Sequence, residues 1–274
     1  MIDLHLHTIA SDGRCTPAEL VERAARAGLT VIAVTDHDTT AAVDEVTAAG
    51  HARGIEVIAG IEITAVEDGR DVHMLGYFVN PADAQLSGFL ARQRAQRIER
   101  VKAVGDRLAR LGMPIDITPL LAVANAESGR SVGRPQIARA MIAAGYVVDS
   151  NDAFDRWLAI GRPAFVPRAG AAPEDVIAIV HAAGGLISLA HPGQTAVDAR
   201  IAGYADASLD ALEVFHPDHD KATTQRYGDV ASRLTLLVTG GSDFHGDPSH
   251  GWEPGAVTLP ADAWRRLRAA APHA

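Results

Sequence analysis

Cysteine is nearly absent from the 274 residues, with Cys15 standing alone. A single thiol excludes an intrachain disulfide and a cysteine-based zinc cluster, so any metal must be held by nitrogen and oxygen. Long apolar runs are missing as well. No stretch of ~18 or more apolar residues could cross a bilayer, and the chain reads as a soluble protein with no membrane partner. The opening MIDLHLHT lacks a basic segment followed by a long apolar one, which leaves the cytoplasm as the expected compartment. Positive charge is also scarce. Lys and Arg number 25 against 34 Asp and Glu, a formal net charge of −9 that disfavours a non-specific polyanion binder such as a double-stranded DNA-binding protein.

What is present has a globular balance, 47% hydrophobic and 22% charged, in a chain long enough for one large α/β domain or two ordinary ones. The charge is unevenly spread. Residues 85–164 hold 12 Lys/Arg against 7 Asp/Glu, leaving 13 against 27 elsewhere, so an acidic body carries a basic segment. Short runs rich in Val, Ile and Leu (MIDLHLH, TVIAVTD, IEVIAGIEI, VHMLGYFV, GGLISLAHP, ALEVFHP, LTLLVTGGSD) alternate with amphipathic stretches, as buried strands and covering helices would. In TPAELVERAARAGL, Thr16 suits an N-cap, with Pro17 and Glu19 in the first turn and Gly28 past the end. AAPEDVIAIVHAAGG repeats the plan from Pro173 to Gly184. This alternation predicts a (β/α) barrel or a doubly wound sheet. It breaks near residue 84 and resumes near 165, with successive helical patterns between. The expected organisation is therefore an α/β body from 1–84 and 165–274 with an all-helical insertion over 85–164.

In parallel α/β folds chemistry collects at the C-terminal ends of the strands, whose loops meet on a rigid frame. Those ends carry His5, His7 and Asp12, then Asp36, His37 and Asp38, then Glu62, His191, His216, and finally Asp243 and His245. His73 lies nearer the beginning of its run and fits the rule less well. A lone histidine in such a place is commonly a hydrogen-bonded loop or core residue, and His51, His181, His219, His250 and His273, on helices or in tails, are read that way. His5 and His7 differ because period-2 spacing sets both on one face of one strand, where they are costly unless hydrogen-bonded or liganded. Either reading is open for the pair alone. Glu62, inside IAGIEIT, needs a partner or a cation. The glycines before Asp243 permit close backbone approach.

Taken in order, His5-Leu-His7 with Asp12, Thr35-Asp36-His37-Asp38, Glu62, His73, Ala190-His191-Pro192 and Asp243-Phe244-His245 resemble the motifs of the polymerase and histidinol phosphatase (PHP) family of metal-dependent phosphoesterases. The resemblance implies a distorted, TIM-like (β/α)7 barrel and three divalent metal ions. It would give His5, His7, Glu62 and Asp243 to one ion, Glu62, His73 and His191 to a second, and Asp12, His37 and His245 to a third. Mn2+ is the expected ion, and the same nitrogen and oxygen ligands accept Fe2+ or Zn2+. The TDHDT motif, the helical insertion and SVGRPQIARAM are similar to the subgroup of 3′,5′-nucleoside bisphosphate phosphatases and 5′-end RNA exonucleases, with Gln136 where that subgroup commonly has His.

The resemblance implies attack on phosphorus by a metal-activated water, with Asp38 or His216 supplying or relaying a proton or else orienting metal ligands. In the basic segment, Leu90, Val101, Val104, Leu108 and Leu111 form an apolar stripe, and Arg94 and Arg97 fall within it. Arg97, Arg130 and Arg134 are candidate grips for a substrate phosphate, Arg134 above Arg130 because a helix should begin at Pro135. His216 could also touch substrate. The expected substrate is a nucleoside 3′,5′-bisphosphate that loses its 3′ phosphate. The alternatives are short RNA trimmed from its 5′ end, histidinol phosphate, and a non-catalytic metal-binding scaffold. No obligate protein partner is expected.

Overall fold

The computed structural model describes residues 1–125, 129–195, 197–247 and 251–272. His250 and His273 lie outside the described residues, as does the end of the helical pattern at 126–127. Seven strands, β1 (Ile2–Leu6), β2 (Val31–Val34), β3 (Glu56–Glu67), β4 (Arg70–Tyr77), β5 (Leu186–Leu189), β6 (Ala211–Phe215) and β7 (Leu237–Gly240), pair in chain order. The sheet closes beyond β7, where the His7 N–H donates to the Phe244 carbonyl at 2.9 Å and the Phe244 N–H returns to His5 at 3.3 Å. The result is the expected seven-stranded barrel, with one departure. β4 runs antiparallel to both β3 and β5, while the other neighbours are parallel.

The alternation along β1 shows how this frame creates a polar interior. Ile2, Leu4 and Leu6 face hydrophobic clusters, whereas Asp3, His5 and His7 point to the opposite side, as a period of two requires. Helices α1 (Pro17–Arg26) and α2 (Val43–His51) follow β1 and β2. In α1 the Thr16 hydroxyl accepts from the Glu19 N–H and the Glu19 carboxylate accepts from the Thr16 N–H, the predicted reciprocal cap.

Between β4 and β5 the described residues contain no strand. They form α3 (Ala84–Arg110), α4 (Thr118–Asn125), α5 (Arg134–Ala143) and α6 (Ser150–Ala153), the last continued by a wide turn over Phe154–Leu158. Leu86 and Leu90 of α3 pack with the barrel cluster, beside Val176 and Ile177 of the next helix, α7 (Pro173–Ala182). Val101, Val104 and Leu108 instead join Ile137 and Met141 in a separate apolar cluster. The stripe stops one residue short of expectation, because Leu111 caps the helix and is exposed. The short helices α8 (Pro192–Thr195) and α9 (Ile201–Asp206), then α10 (Lys221–Arg233) and α11 (Ala261–Ala270), complete the wall. No helix among the described residues is long and apolar enough to cross a membrane.

Candidate metal centre

At one end of the barrel the histidines and carboxylates of seven separate segments converge. His5 Nε2 lies 3.3 Å from Glu62 Oε2 and 3.2 Å from Asp243 Oδ1, and His7 Nε2 lies 3.2 and 3.3 Å from the same two oxygens. Donors bonded at ~2.0–2.1 Å around a tetrahedral ion sit ~3.3–3.4 Å from one another, so this quartet has the spacing of a closed ligand shell. Glu62 also extends beyond it. Its Oε1 is 2.8 Å from His73 Nδ1 and 3.1 Å from His191 Nε2, and its Oε2 is 3.1 Å from His37 Nδ1. Asp12 gathers His245 Nε2 at 3.2 Å and His37 Nε2 at 3.5 Å, with His7 Nδ1 at 3.8 Å.

The antiparallel β4 explains His73. Its N-terminal end lies where the other strands end, and His73 pairs with Thr64 two residues past Glu62. The nine residues named from the motifs are thus brought together. Glu62 and His73 also form a compact group with His37, and His191 reaches the same Glu62 oxygen as His73.

These side chains fit cations better than one another. Both ring nitrogens of His7, Nδ1 of His37 and Nδ1 of His191 are buried without a hydrogen-bond partner, although carboxylates stand near several of them. A buried polar nitrogen left in that state is costly unless something bonds its lone pair. Charge points the same way. Burial works against protonating His5, yet Asp243, Glu213 and Glu62 drive its pKa well above the ordinary value. His7 likewise resists burial and is raised to about 10 by Asp243 and Glu62. His37, buried and beside His7 and His73, is pushed down to about 3 despite Glu62 and Asp12. The carboxylates demand positive charge, and divalent ions meet that demand while using the unpaired nitrogens.

Three further carboxylates hold this arrangement, Glu213 and Asp3 from outside the motifs and Asp36 from within them. Glu213 of β6 is fully buried, its Oε1 3.0 Å from His5 Nδ1 and its Oε2 accepting the His191 N–H at 2.7 Å. The signal was available, since Glu213 in ALEVF is a carboxylate in an apolar run, as Glu62 is. Asp36 accepts from the Thr8 N–H and hydroxyl at 2.8 and 2.7 Å and from the Ser11 hydroxyl at 2.6 Å, fixing the loop that presents Asp12. Asp3 accepts from the Ser242 N–H and hydroxyl at 2.9 and 2.6 Å, which sets the turn before Asp243. A Cβ on Gly241 in that turn would come 2.4 Å from the His5 nitrogen. Asp38, His191 and Asp243 themselves have positive φ, a conformation retained where surrounding contacts enforce it.

The proton-transfer candidates separate. The Asp38 carboxylate accepts from Arg97 Nε at 2.5 Å and Arg168 Nη2 at 2.7 Å. Burial would raise its pKa, but the two guanidiniums hold it far below the carboxylate range, and the carboxylate anchors both arginines. His216 Nδ1 accepts from the Asp218 N–H at 3.1 Å, which places its proton on Nε2, 3.3 Å from Asp243 Oδ2. His219 has both nitrogens occupied, by the Val214 carbonyl and the Gly193 N–H, and is structural.

Beside the cluster a cavity of about 200 Å³ is lined by His37, His73, Arg97, Arg100, Arg134 and Arg168. Arg100 and Arg134 share Asp71 at 3.1 and 2.8 Å, and Arg97 also donates to the Thr64 hydroxyl. Arg168 Nε and Arg100 Nη2 are buried donors without partners. Burial and the neighbouring Arg100 lower the Arg134 pKa to about 10, the mark of guanidiniums crowded without enough anions. Arg130 is absent from this lining. Its guanidinium donates to the Ile9 carbonyl and so ties the loop after β1. Arg94 similarly serves the Asp38 carbonyl at 3.1 Å. Gln136 donates to the Ser11 carbonyl at 2.7 Å and accepts from the Gly133 N–H at 2.8 Å, tying α5 to the loop of Asp12.

A PHP domain model matches residues 3–129. A Haemophilus influenzae 5'-3' exoribonuclease is 34% identical over 248 residues, covering 89% of each chain. A Chromobacterium violaceum 3',5'-nucleoside bisphosphate phosphatase is 31% identical over 277 residues, 98% of this chain and 96% of the relative. The crystal structure of a Bifidobacterium adolescentis protein described as a metal-dependent phosphoesterase superposes with a TM-score of 0.88 at 36% identity, over 98% of this chain and 95% of that one.

Proposed function

The chain belongs to the PHP family of metal-dependent phosphoesterases and is a phosphate-ester hydrolase, and from that premise we propose that it removes the 3′ phosphate of nucleoside 3′,5′-bisphosphates. The observation that carries this reading is the arginine-lined cavity beside the histidine and carboxylate cluster, with Arg168 Nε and Arg100 Nη2 as unpaired buried donors. A substrate with two phosphates matches such a pair of subsites, one for each phosphate.

In this reading three divalent ions are held as the motifs divide the ligands. His5, His7, Glu62 and Asp243 serve one, Glu62, His73 and His191 a second, and Asp12, His37 and His245 a third. Mn2+ suits the set, and Fe2+ and Zn2+ are compatible with it. When bound, such ions supply an activated water for in-line attack and neutralise charge on the transferring phosphoryl group. The rest is done by the chain. Arg134, Arg100, Arg97 and Arg168 receive the 5′ phosphate as a multiple hydrogen-bond clamp, and Asp38 and Asp71 keep those guanidiniums in place. His216 fixes Asp243 through Nε2–H, and the departing 3′ oxygen takes its proton from water. The helices between β4 and β5 act as the substrate lid, since α3 and α5 contribute Arg97, Arg100 and Arg134. A cationic substrate such as histidinol phosphate has no use for this lining.

The test compares phosphate release from adenosine 3′,5′-bisphosphate and adenosine 3′-monophosphate by the Mn2+-reconstituted protein. The bisphosphate should be preferred by at least about 100-fold, since a charge-assisted phosphate grip contributes about 1.5–3 kcal/mol per bond. Equal rates on the two substrates would overturn the reading. Trimming of RNA 5′ ends at this site is the second reading, favoured by the similarity to the 5'-3' exoribonuclease.

A further inference from the structure

The cleft over the metal centre has a second lobe, and its chemistry differs from the first. This cavity of about 370 Å³ meets the arginine-lined one at Asp12, Pro135 and Phe154, and continues past His216 and Asp243. Among the described residues, its charged lining outside the metal cluster is Asp155, Asp218, Asp247 and Arg139. That guanidinium is turned to the Asp12 carbonyl at 2.9 Å, and Asp247 is paired with Arg14 at 2.6 Å. Asp155 and Asp218 are exposed at the rim, and Trp252, 42% exposed, adds an aromatic face. One lobe therefore carries an excess of guanidinium with unpaired donors, and the other an excess of carboxylate with an indole.

Building on the proposed function, we infer that this polarity measures substrate length: the far lobe accepts one uncharged nucleoside beyond the cleaved phosphate and rejects a further phosphate. With the 5′ phosphate in the arginine lobe and the 3′ phosphorus at the metal centre, any ester substituent on that phosphorus points into the far lobe. Water adds to phosphorus, the P–O3′ bond breaks, and O3′ leaves with a proton. Adenosine 3′,5′-bisphosphate (pAp) yields the 5′ nucleotide and phosphate, and the dinucleotide pApA yields two 5′ nucleotides. In pApA the far lobe receives only adenosine, whose base can stack on Trp252. In pApAp, or in a longer chain, an additional phosphate lies against Asp155 and Asp218. Like charges at this solvent-exposed rim repel through water, an effect that salt screens. The metal centre and arginine lobe alone would admit RNA of any length, so length selection belongs to these residues.

The experiment uses the Mn2+-reconstituted full chain with pAp, pApA and pApAp, the last two differing by one terminal phosphate. The expected result is cleavage of pApAp about tenfold slower than pApA at low ionic strength, a ratio that narrows near 1 M salt, where the screening length is only about 3 Å. D155K/D218K, a surface change, should abolish the ratio, and W252A should slow pApA while leaving pAp unaffected. Affinities for analogues with a methylene in place of the bridging 3′ oxygen provide the same ratio without turnover. Failure of the phosphatase reading appears as no cleavage of pAp. Failure of the present inference appears as equal binding of the pApA and pApAp analogues, or as a ratio that D155K/D218K does not move.

Discussion

Glu213 touches no substrate in the proposed reaction, yet it joins two metal ligands from different strands. One oxygen meets His5 Nδ1 and the other the backbone of His191. A carboxylate on the far nitrogen of a ligating imidazole fixes the ring and strengthens its lone pair. Glu213→Gln preserves the shape and removes the charge, so metal affinity should fall about 10- to 100-fold with the fold intact. Titration of the metal-free variant with Mn2+ reads this directly, and an unchanged affinity would show that Glu213 only fills space. The comparison with Glu62 explains what the sequence can reveal at this scale. Both are carboxylates in apolar strands, but Glu62 belongs to the ordered motifs, whereas Glu213, three residues before His216, does not. Asp38 marks the opposite limit. Nothing in TDHD shows that guanidiniums from Arg97 and Arg168, 59 and 130 residues away, will close on it and fix it as a carboxylate.

Helix α3 works in two environments along its length. Leu86 and Leu90 anchor it to the barrel, Gln93 donates to the Thr64 carbonyl at 2.8 Å, Arg97 reaches Asp38, and Val101 to Leu108 pack in the helical cluster. Position along one rigid helix thus relates the arginine cavity to the metal centre. Leu108→Ala should cost about 2–5 kcal/mol of stability by opening a cavity in that cluster, and should weaken bisphosphate binding more than Mn2+ binding. Denaturant unfolding and two titrations measure the three quantities. Equal loss of substrate and metal affinity would mean that the helical cluster and barrel respond as one. The helical period made most of this stripe readable, and Leu111 escaped because the helix ends there, before Gly112 at φ +80°. Strand direction is harder to read. An apolar run has the same composition in either direction, so β4 was recognisable as a strand while its reversal, which rescues His73 as a site residue, was not.

The site draws on residues from His5 to His245, and so on closure of the whole barrel. The β1 to β7 seam brings Asp243 to His5, Asp3 holds the turn between them, and Gly241 leaves room for the approach. Such long-range closure cannot be read from local periodicity, although the order of motifs anticipates it. It also links metal binding to stability. With ions removed, Glu62, Asp12 and Asp243 would face one another, and protons on His5 and His7 are the available substitute, as the raised pKa of both rings indicates. Chelation should therefore lower the melting temperature without unfolding the chain at ambient temperature. A site held at free ion about 100-fold above its dissociation constant contributes about 2.7 kcal/mol, which for a chain of this size is a shift of about 5–10 °C per ion. Calorimetry across a Mn2+ titration of the chelated protein measures the shift and, from its dependence on free ion, how many sites contribute. A melting temperature indifferent to Mn2+ would show that the cluster is satisfied by its own protons and binds no ion.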